Sequence, residues 1–208
     1  MGKTRYKLII FDLGNVVIDF DHWIATRRLL NFTHADLKEV YNFLFDSGLT
    51  QKFEAGKLTG YRFFSLLKRR LNLNISYRDF VPVWNEIFFV SPQNRKVHRF
   101  ARFLKRNYRI ALLSNINRLH FGYIRKKFPQ VLKIFSKAIL SYKIGFIKPN
   151  PLIYKKALKI YKLRPQEVVY IDDRKELTDA AAKLSINSLH FKNAAKLKRD
   201  LFSLGIKL

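Results

Sequence analysis

Residues 7–21 read KLIIFDLGNVVIDFD. An apolar run of strand length, LIIF, stops abruptly at Asp12, and two positions later stands Gly14. Runs of the same kind recur down the chain: RIALL (109–113), KAILS (137–141), VVYI (168–171) and NSLHF (187–191). Segments 92–106, 118–128, 150–162 and 174–184 carry helical patterns instead. Alternation of strands and helices predicts an α/β fold, a parallel sheet with helices on both faces.

Residues 19–90 break this rhythm. They show no strand pattern and several amphipathic stretches. The clearest is 60–71, where Phe63, Phe64, Leu66, Leu67 and Leu71 alternate with Lys68, Arg69 and Arg70. The expected organisation is a core made of residues 1–18 and 91–208, with an α-helical insertion, 19–90, after the first strand. Charge marks the same boundary. Residues 19–90 hold 10 Lys/Arg against 8 Asp/Glu, whereas residues 91–208 hold 28 against 6.

At 208 residues and 48% hydrophobic, the chain is long enough for a proper core. It has no cysteine, which excludes disulfides, thiolate metal sites and cysteine nucleophiles and fits a reducing compartment. The first apolar run lasts four residues, and none approaches the roughly 20 of a membrane span. A cytoplasmic protein with no membrane partner is therefore expected. A formal charge of +26 attracts polyanions and phosphorylated small molecules. Nucleic acid stays open as a partner but is not favoured, because no RNA-recognition aromatic pattern, zinc-finger spacing or basic low-complexity tail is present. In 92–106, Arg95, Lys96, Arg99, Arg102, Lys105 and Arg106 fall on the solvated side of the predicted helix. Val97, Phe100, Phe103 and Leu104 are expected on its buried side.

In an open parallel sheet, ligands bind beyond the carboxyl ends of the strands. The residues found there are Asp12 after LIIF, Ser114 and Asn115 after IALL, and Asp172 and Asp173 after VVYI. Two like charges about 4–6 Å apart repel by roughly 3–4 kcal/mol at an effective dielectric near 20. Converging carboxylates must therefore take up protons or hold a cation. An all-oxygen set points to a hard ion, and Mg²⁺ suits one or two carboxylates plus a substrate phosphate. Lys148, in GFIKPNP just before a predicted helix start, adds an ammonium suited to phosphate.

These residues together resemble the haloacid dehalogenase-like (HAD) hydrolase superfamily over nearly the whole chain. Four motifs stand in order: FDLGNV (11–16), LLSN (112–115), Lys148 in IKP, and YIDD (170–173). SNINRLH (114–120), IDDRKELTDAAAKLSI (171–186) and the Glu-x-Gly of FEAGKLTGYRFF (53–64) are similar to the helical-cap subgroup that includes glucose-1-phosphate phosphatase-like sugar phosphatases. The resemblance implies a Rossmann-like core with a helical cap at 19–90. It implies a Mg²⁺-dependent phosphatase of a small phosphorylated substrate, with a sugar phosphate favoured. Asp12 would be the nucleophile that forms an aspartyl-phosphate. Ser114, Asn115 and Lys148 would hold the phosphoryl group. Asp12, Asp172, Asp173 and the backbone carbonyl of Gly14 would hold the metal.

Gly14 departs from the family's usual pattern, in which that position carries an Asp acting as general acid and base. Three readings follow: a hydrolase in which another group or a water moves the proton, a binding-only relative that takes nucleic acid or an acidic partner, and a 2-haloacid dehalogenase. The intact remainder of the motifs favours the first, and the paired Asp172 and Asp173 disfavour the third. Asp19, Asp21 and His120 are candidates for substrate contact or proton donation, with helix capping the competing role for Asp21. Phe20, Trp23 and Phe53 are candidates for the pocket wall, with core packing the competing role.

Overall fold

In the computed structural model, which describes residues 5–206, the five apolar runs form one parallel sheet. The chain runs β1 (Leu8–Phe11), β2 (Asp19–Phe20), α1 (His22–Leu29), α2 (Leu37–Phe45), α3 (Leu49–Glu54), α4 (Gly60–Leu71), α5 (Tyr77–Asn85), β3 (Phe88–Phe89) and α6 (Pro92–Leu104). It continues through β4 (Arg109–Ser114), α7 (Arg118–Lys127), α8 (Pro129–Leu132), β5 (Lys137–Leu140), α9 (Ser141–Ile144), α10 (Pro151–Tyr161), β6 (Val168–Asp172), α11 (Lys175–Ala182), β7 (Asn187–His190) and α12 (Ala194–Ser203). The sheet order is β5-β4-β1-β6-β7, all parallel, with β1 in the middle. Residues 1–4 of the expected first core segment lie outside the described residues.

Each central strand is buried on both faces, which is why its apolar run is continuous. Ile9, Phe11, Ile110, Leu112, Val169 and Ile171 point into one cluster, shared with Val97 and Ala101 of α6 and Leu197 of α12. The alternate positions Leu8, Ile10, Ala111, Leu113, Val168 and Tyr170 point into a second cluster, with Ile153 and Ala157 of α10 and Ala181 of α11.

Separately from these two clusters, α1 to α5 gather around a third apolar cluster. Its buried members run from Ala25 to Ile87 and include Phe53, Phe63, Phe80 and Trp84. α4 shows how the local sequence sets this up. The Thr59 side chain caps its first turn, Phe63, Phe64, Leu67 and Leu71 face inward, and Lys68, Arg69 and Arg70 sit in the last turn, where the helix dipole favours cations.

Two sequence expectations are corrected. Residues 19–90 do contain strand: Asp19–Phe20 and Phe88–Phe89 form a two-residue antiparallel pair where the chain leaves the sheet and returns. Two residues are too few for alternation to register as a pattern. In α6, Phe103 is exposed and carries the Arg106 guanidinium 5.3 Å above its ring. The inward stripe is Asn94, Val97, His98, Ala101 and Leu104. Asn94 and His98 are buried because they bind the main chain after β1. Asn94 Nδ2 donates to the Val16 carbonyl (3.3 Å) and to Asp19 Oδ1 (2.9 Å), and His98 Nε2 donates to the Val17 carbonyl (2.8 Å).

Candidate active site

Because β4, β1 and β6 are adjacent and parallel, their carboxyl ends set Ser114, Asp12 and Asp172 side by side. The Asp12 N–H is fixed by the Ile171 carbonyl at 2.8 Å. Lys148 arrives from the loop before α10, whose start is defined by Pro151 in its first turn and by the Asn150 side chain, which accepts from the Leu152 N–H at 2.9 Å. The Lys148 side chain is 1% exposed, and its ammonium is the hub of the site. Nζ donates to Asp12 Oδ1 (2.8 Å), Asp172 Oδ2 (2.7 Å) and the Leu113 carbonyl (3.2 Å). Asn115 clamps the Lys148 main chain: its Nδ2 donates to the Lys148 carbonyl (2.9 Å), and its Oδ1 accepts the Lys148 N–H (2.7 Å). The Asn115 amide is thus committed to holding Lys148.

Asp172 is fully buried. Its Oδ2 also accepts from the Tyr170 hydroxyl, and its Oδ1 accepts the Arg174 N–H at 2.9 Å. Asp173 Oδ2 accepts from Asn15 Nδ2 at 3.2 Å. Asn15 holds this position in the left-handed region, φ 54°, which Asn tolerates better than most side chains. One oxygen each from Asp12, Asp172 and Asp173 lie within 4.8 Å of one another. Three carboxylates face one ammonium, an excess of two negative charges on hard oxygen donors. That donor set fits a divalent cation of the Mg²⁺ type. The electrostatics agree. Burial pushes the Asp12 carboxyl up to about 7 against the pull of Lys148, with Asp172 and Asp173 adding to the rise. Burial acts to lower the Lys148 pKa, but Asp12 and Asp172 outweigh it and hold the ammonium charged. Burial likewise raises Asp173, with Asn15 opposing.

Above the carboxylates lies a cavity of about 330 Å³. Asp12, Gly14, Ser114, Asn115, Lys148 and Asp173 line one part, and Phe20, His22, Phe45, Gln51, Glu54 and Phe88 contribute from between the two crossings of the insertion. Glu54 ends α3 and keeps partial exposure while lining this space. Burial pushes its carboxyl up to about 7, against Lys148 and Arg174. Gly14 is packed against Phe20: a Cβ at position 14 would sit 2.6 Å from the Phe20 ring.

His120 reaches the cavity wall, but both ring nitrogens are engaged. Nε2 donates to the Trp84 carbonyl (3.0 Å), and Nδ1 accepts from Asn117 Nδ2 (3.0 Å). Burial pulls its pKa down to about 3, so the ring is neutral, and its one N–H is engaged by the Trp84 carbonyl. Asp19 and Asp21 do not line the cavity. Asp21 caps α1, accepting the Trp23 N–H at 2.8 Å, and Asp19 binds Asn94. Of the aromatic candidates, Phe20 lines the cavity, Trp23 is exposed and stacks on Tyr41, and Phe53 is buried in the helical cluster.

Sequence reasoning did not single out His22, Gln51, Asn15 or Tyr170, and it met Glu54 only as the Glu of the Glu-x-Gly pattern, with no role in the site. Tyr170 was within reach, since residues two apart on a strand share a face and Asp172 follows it by two. Glu54 stands in the quoted FEAGKLTG stretch, but nothing local shows that α3 turns its last residue toward Asp12.

A family model described as haloacid dehalogenase-like hydrolase matches residues 6–184. The chain is 26% identical to a D-ribitol-5-phosphate phosphatase of Bacteroides thetaiotaomicron, covering 94% of this chain and 96% of that protein. It is 25% identical to a glyceraldehyde 3-phosphate phosphatase of Pyrococcus furiosus, covering 82% and 73%. Among solved structures, a HAD family enzyme of Bacteroides thetaiotaomicron superposes with a TM-score of 0.82 at 24% identity, covering 95% of this chain and 98% of that one. The same enzyme in complex with magnesium and inorganic phosphate superposes with a TM-score of 0.78 at 24% identity, covering 90% and 94%.

Proposed function

The chain belongs to the haloacid dehalogenase-like hydrolases, and we propose that it is a Mg²⁺-dependent phosphatase of a small phosphorylated metabolite, a sugar or polyol phosphate, working through an aspartyl-phosphate on Asp12. The observation that carries this reading is the Asp12 carboxylate, held at 2.8 Å by the Lys148 ammonium within the Asp12, Asp172 and Asp173 cluster on the floor of the cavity. Asp12 Oδ1 is committed to Lys148, so the other oxygen attacks phosphorus and the ester oxygen leaves with the bonding pair. Lys148 favours the ionised form of Asp12 against burial and stabilises the transferring phosphoryl group. The Ser114 hydroxyl and the main chain at Asn115 bind phosphoryl oxygens, while the Asn115 amide positions Lys148. Asp12, Asp172, Asp173 and the Gly14 carbonyl would hold Mg²⁺, which would neutralise charge between an anionic nucleophile and an anionic ester.

In this reading residues 19–90 are a helical cap over a core of residues 1–18 and 91–208, and the cap supplies the leaving-group end of the cavity. The names of the two curated relatives support a small phosphorylated substrate. His22, Gln51 and Glu54 on the cavity wall suit a leaving group rich in hydroxyls. A volume near 330 Å³ is at the small end of ligand sites and suits a small ester. The cysteine-free chain fits work in the reducing cytoplasm.

The test is phosphate release from a panel containing ribitol 5-phosphate, glyceraldehyde 3-phosphate, hexose phosphates and nucleotides, with and without Mg²⁺, for the protein and for Asp12→Asn. The expected result is Mg²⁺-dependent release that Asp12→Asn abolishes. Release no greater than the Asp12→Asn background on every ester would overturn the reading.

A further inference from the structure

The space beside Asp12 that a side chain at position 14 would enter is closed by Phe20, whose ring a Cβ there would meet at 2.6 Å. The proton required by a departing alkoxide must come from elsewhere in the cavity. Three carboxyls line it: Asp12, Asp173 and Glu54. The first two belong to the cation cluster. The Glu54 carboxyl makes no hydrogen bond or ion pair among the described residues. The two wall histidines are unsuited. His120 uses both nitrogens within the protein. His22 lies between Phe20 and Phe45 with its Nδ1 buried and unpartnered, and burial pulls its pKa down to about 4.

Glu54 is fixed relative to the catalytic strands. Its carbonyl accepts from Ser141 Oγ at 2.6 Å. The same Ser141 hydroxyl accepts the Ile116 N–H at 2.9 Å, one residue beyond Asn115. Two residues past Glu54, Gly56 (φ 71°) approaches the Tyr142 carbonyl so closely that a Cβ would stand 2.3 Å from it. The end of α3 is thereby fastened to the corner between β5 and α9, and the helix C-terminus cannot swing without breaking that contact.

Resting on the phosphatase reading above, we propose that Glu54 is the general acid and base of the reaction, in place of an acid at position 14. In the first step an Asp12 oxygen bonds to phosphorus, the ester P–O bond breaks, and the leaving oxygen takes the proton of the Glu54 carboxyl. In the second step water attacks the aspartyl-phosphate, its proton passes to the Glu54 carboxylate, and the P–O bond to Asp12 breaks to restore that carboxylate and release phosphate. The groups facing Glu54 suit both states. Burial favours its protonated form and pushes the carboxyl up to about 7, Lys148 and Arg174 favour its ionised form, Asp12 and Asp173 share the cavity, and His22 and His120 are neutral.

The test compares the protein with Glu54→Gln, Glu54→Asp, His22→Asn and Asp12→Asn, all with Mg²⁺, on ribitol 5-phosphate and on p-nitrophenyl phosphate, whose phenolate leaves without a proton. Glu54→Gln is expected to lower kcat on the alkyl ester by about 10²-fold or more. On the aryl ester it should release a rapid burst of about one equivalent of p-nitrophenolate and then turn over slowly. The pH profile of kcat/KM should lose the limb set by the acid, and Glu54→Asp should retain part of the activity. Unchanged turnover of the alkyl ester by a folded Glu54→Gln, equal losses of the first turnover on both esters, or a burst from His22→Asn instead would overturn the assignment. Absence of Asp12-dependent release by the unaltered protein on either ester would fail the phosphatase reading and the role of Glu54 with it.

Discussion

Lys148, which bridges Asp12 and Asp172, and Glu54, the proposed acid and base, differ in how far sequence reveals them. Lys148 is legible because a basic residue in an IKP stretch stands between two strand-end motifs, though only the fold shows that it bridges Asp12 and Asp172. Lys148→Met leaves two buried carboxylates without their ammonium. We expect a loss of about 3–5 kcal/mol of stability without added cation, read from denaturant midpoints and partly restored by Mg²⁺. Activity should fall by about 10²-fold or more, because in the proposed mechanism Lys148 stabilises the phosphoryl charge. Glu54 carries a stability signature of its own. Its folded pKa of about 7 lies above the ordinary 4.5, so the folded state binds the extra proton between those values. Its contribution is whole below about pH 4.5 and is lost as pH rises through about 7. Melting temperature measured against pH in metal-free buffer should therefore fall less steeply over that window for Glu54→Gln than for the unaltered protein.

At the scale of elements, the five core strands were all readable, because a strand covered on both faces must be apolar at successive positions. The β2–β3 pair was not, since two residues carry no period and their pairing joins positions about 70 apart in sequence. The helical insertion was readable as helix, and Phe20, Trp23 and Phe53 as candidates for the pocket wall, of which Phe20 alone lines the cavity. The attachment of the insertion rests on a contact no periodicity shows, the approach of Gly56 to the Tyr142 carbonyl. Gly56→Ala meets that carbonyl and also places a Cβ on a left-handed residue. We expect at least 1 kcal/mol of destabilisation by chemical denaturation. Activity should fall by more than the stability loss explains, because Glu54 moves with α3. At Gly14, whose φ is not restrictive, Gly14→Asp should displace Phe20 rather than install a working acid. A kcat below that of the unaltered protein is the expected readout.

For the whole molecule the dominant physical fact is charge, +26 over 208 residues and concentrated beyond residue 90. Long-range attraction of a phosphate dianion is screened within about 8–10 Å at moderate salt. Raising ionic strength should therefore lower kcat/KM for a phosphate ester several-fold while leaving kcat nearly unchanged, and steady-state kinetics across a salt series decides it. No helix among the described residues is long and apolar enough to cross a membrane, in line with the short apolar runs of the sequence. By itself the sequence determined what depends on local pattern: five strands, the helices between them, and the polar residue at each strand end. Those follow from periodicity and composition, which act over a few residues, whereas the missing carboxyl at position 14 is visible only against the pattern of the family the chain resembles. Only the tertiary structure decided which side chains share one volume. Asp12, Lys148 and Asp172 meet because the sheet order places β1 between β4 and β6. His120 lines the cavity with both ring nitrogens engaged, by Trp84 and Asn117. Glu54 enters because Ser141 and Tyr142 hold α3 against the sheet edge. Contacts between residues tens of positions apart are set by packing of whole elements, and no window along the chain encodes them.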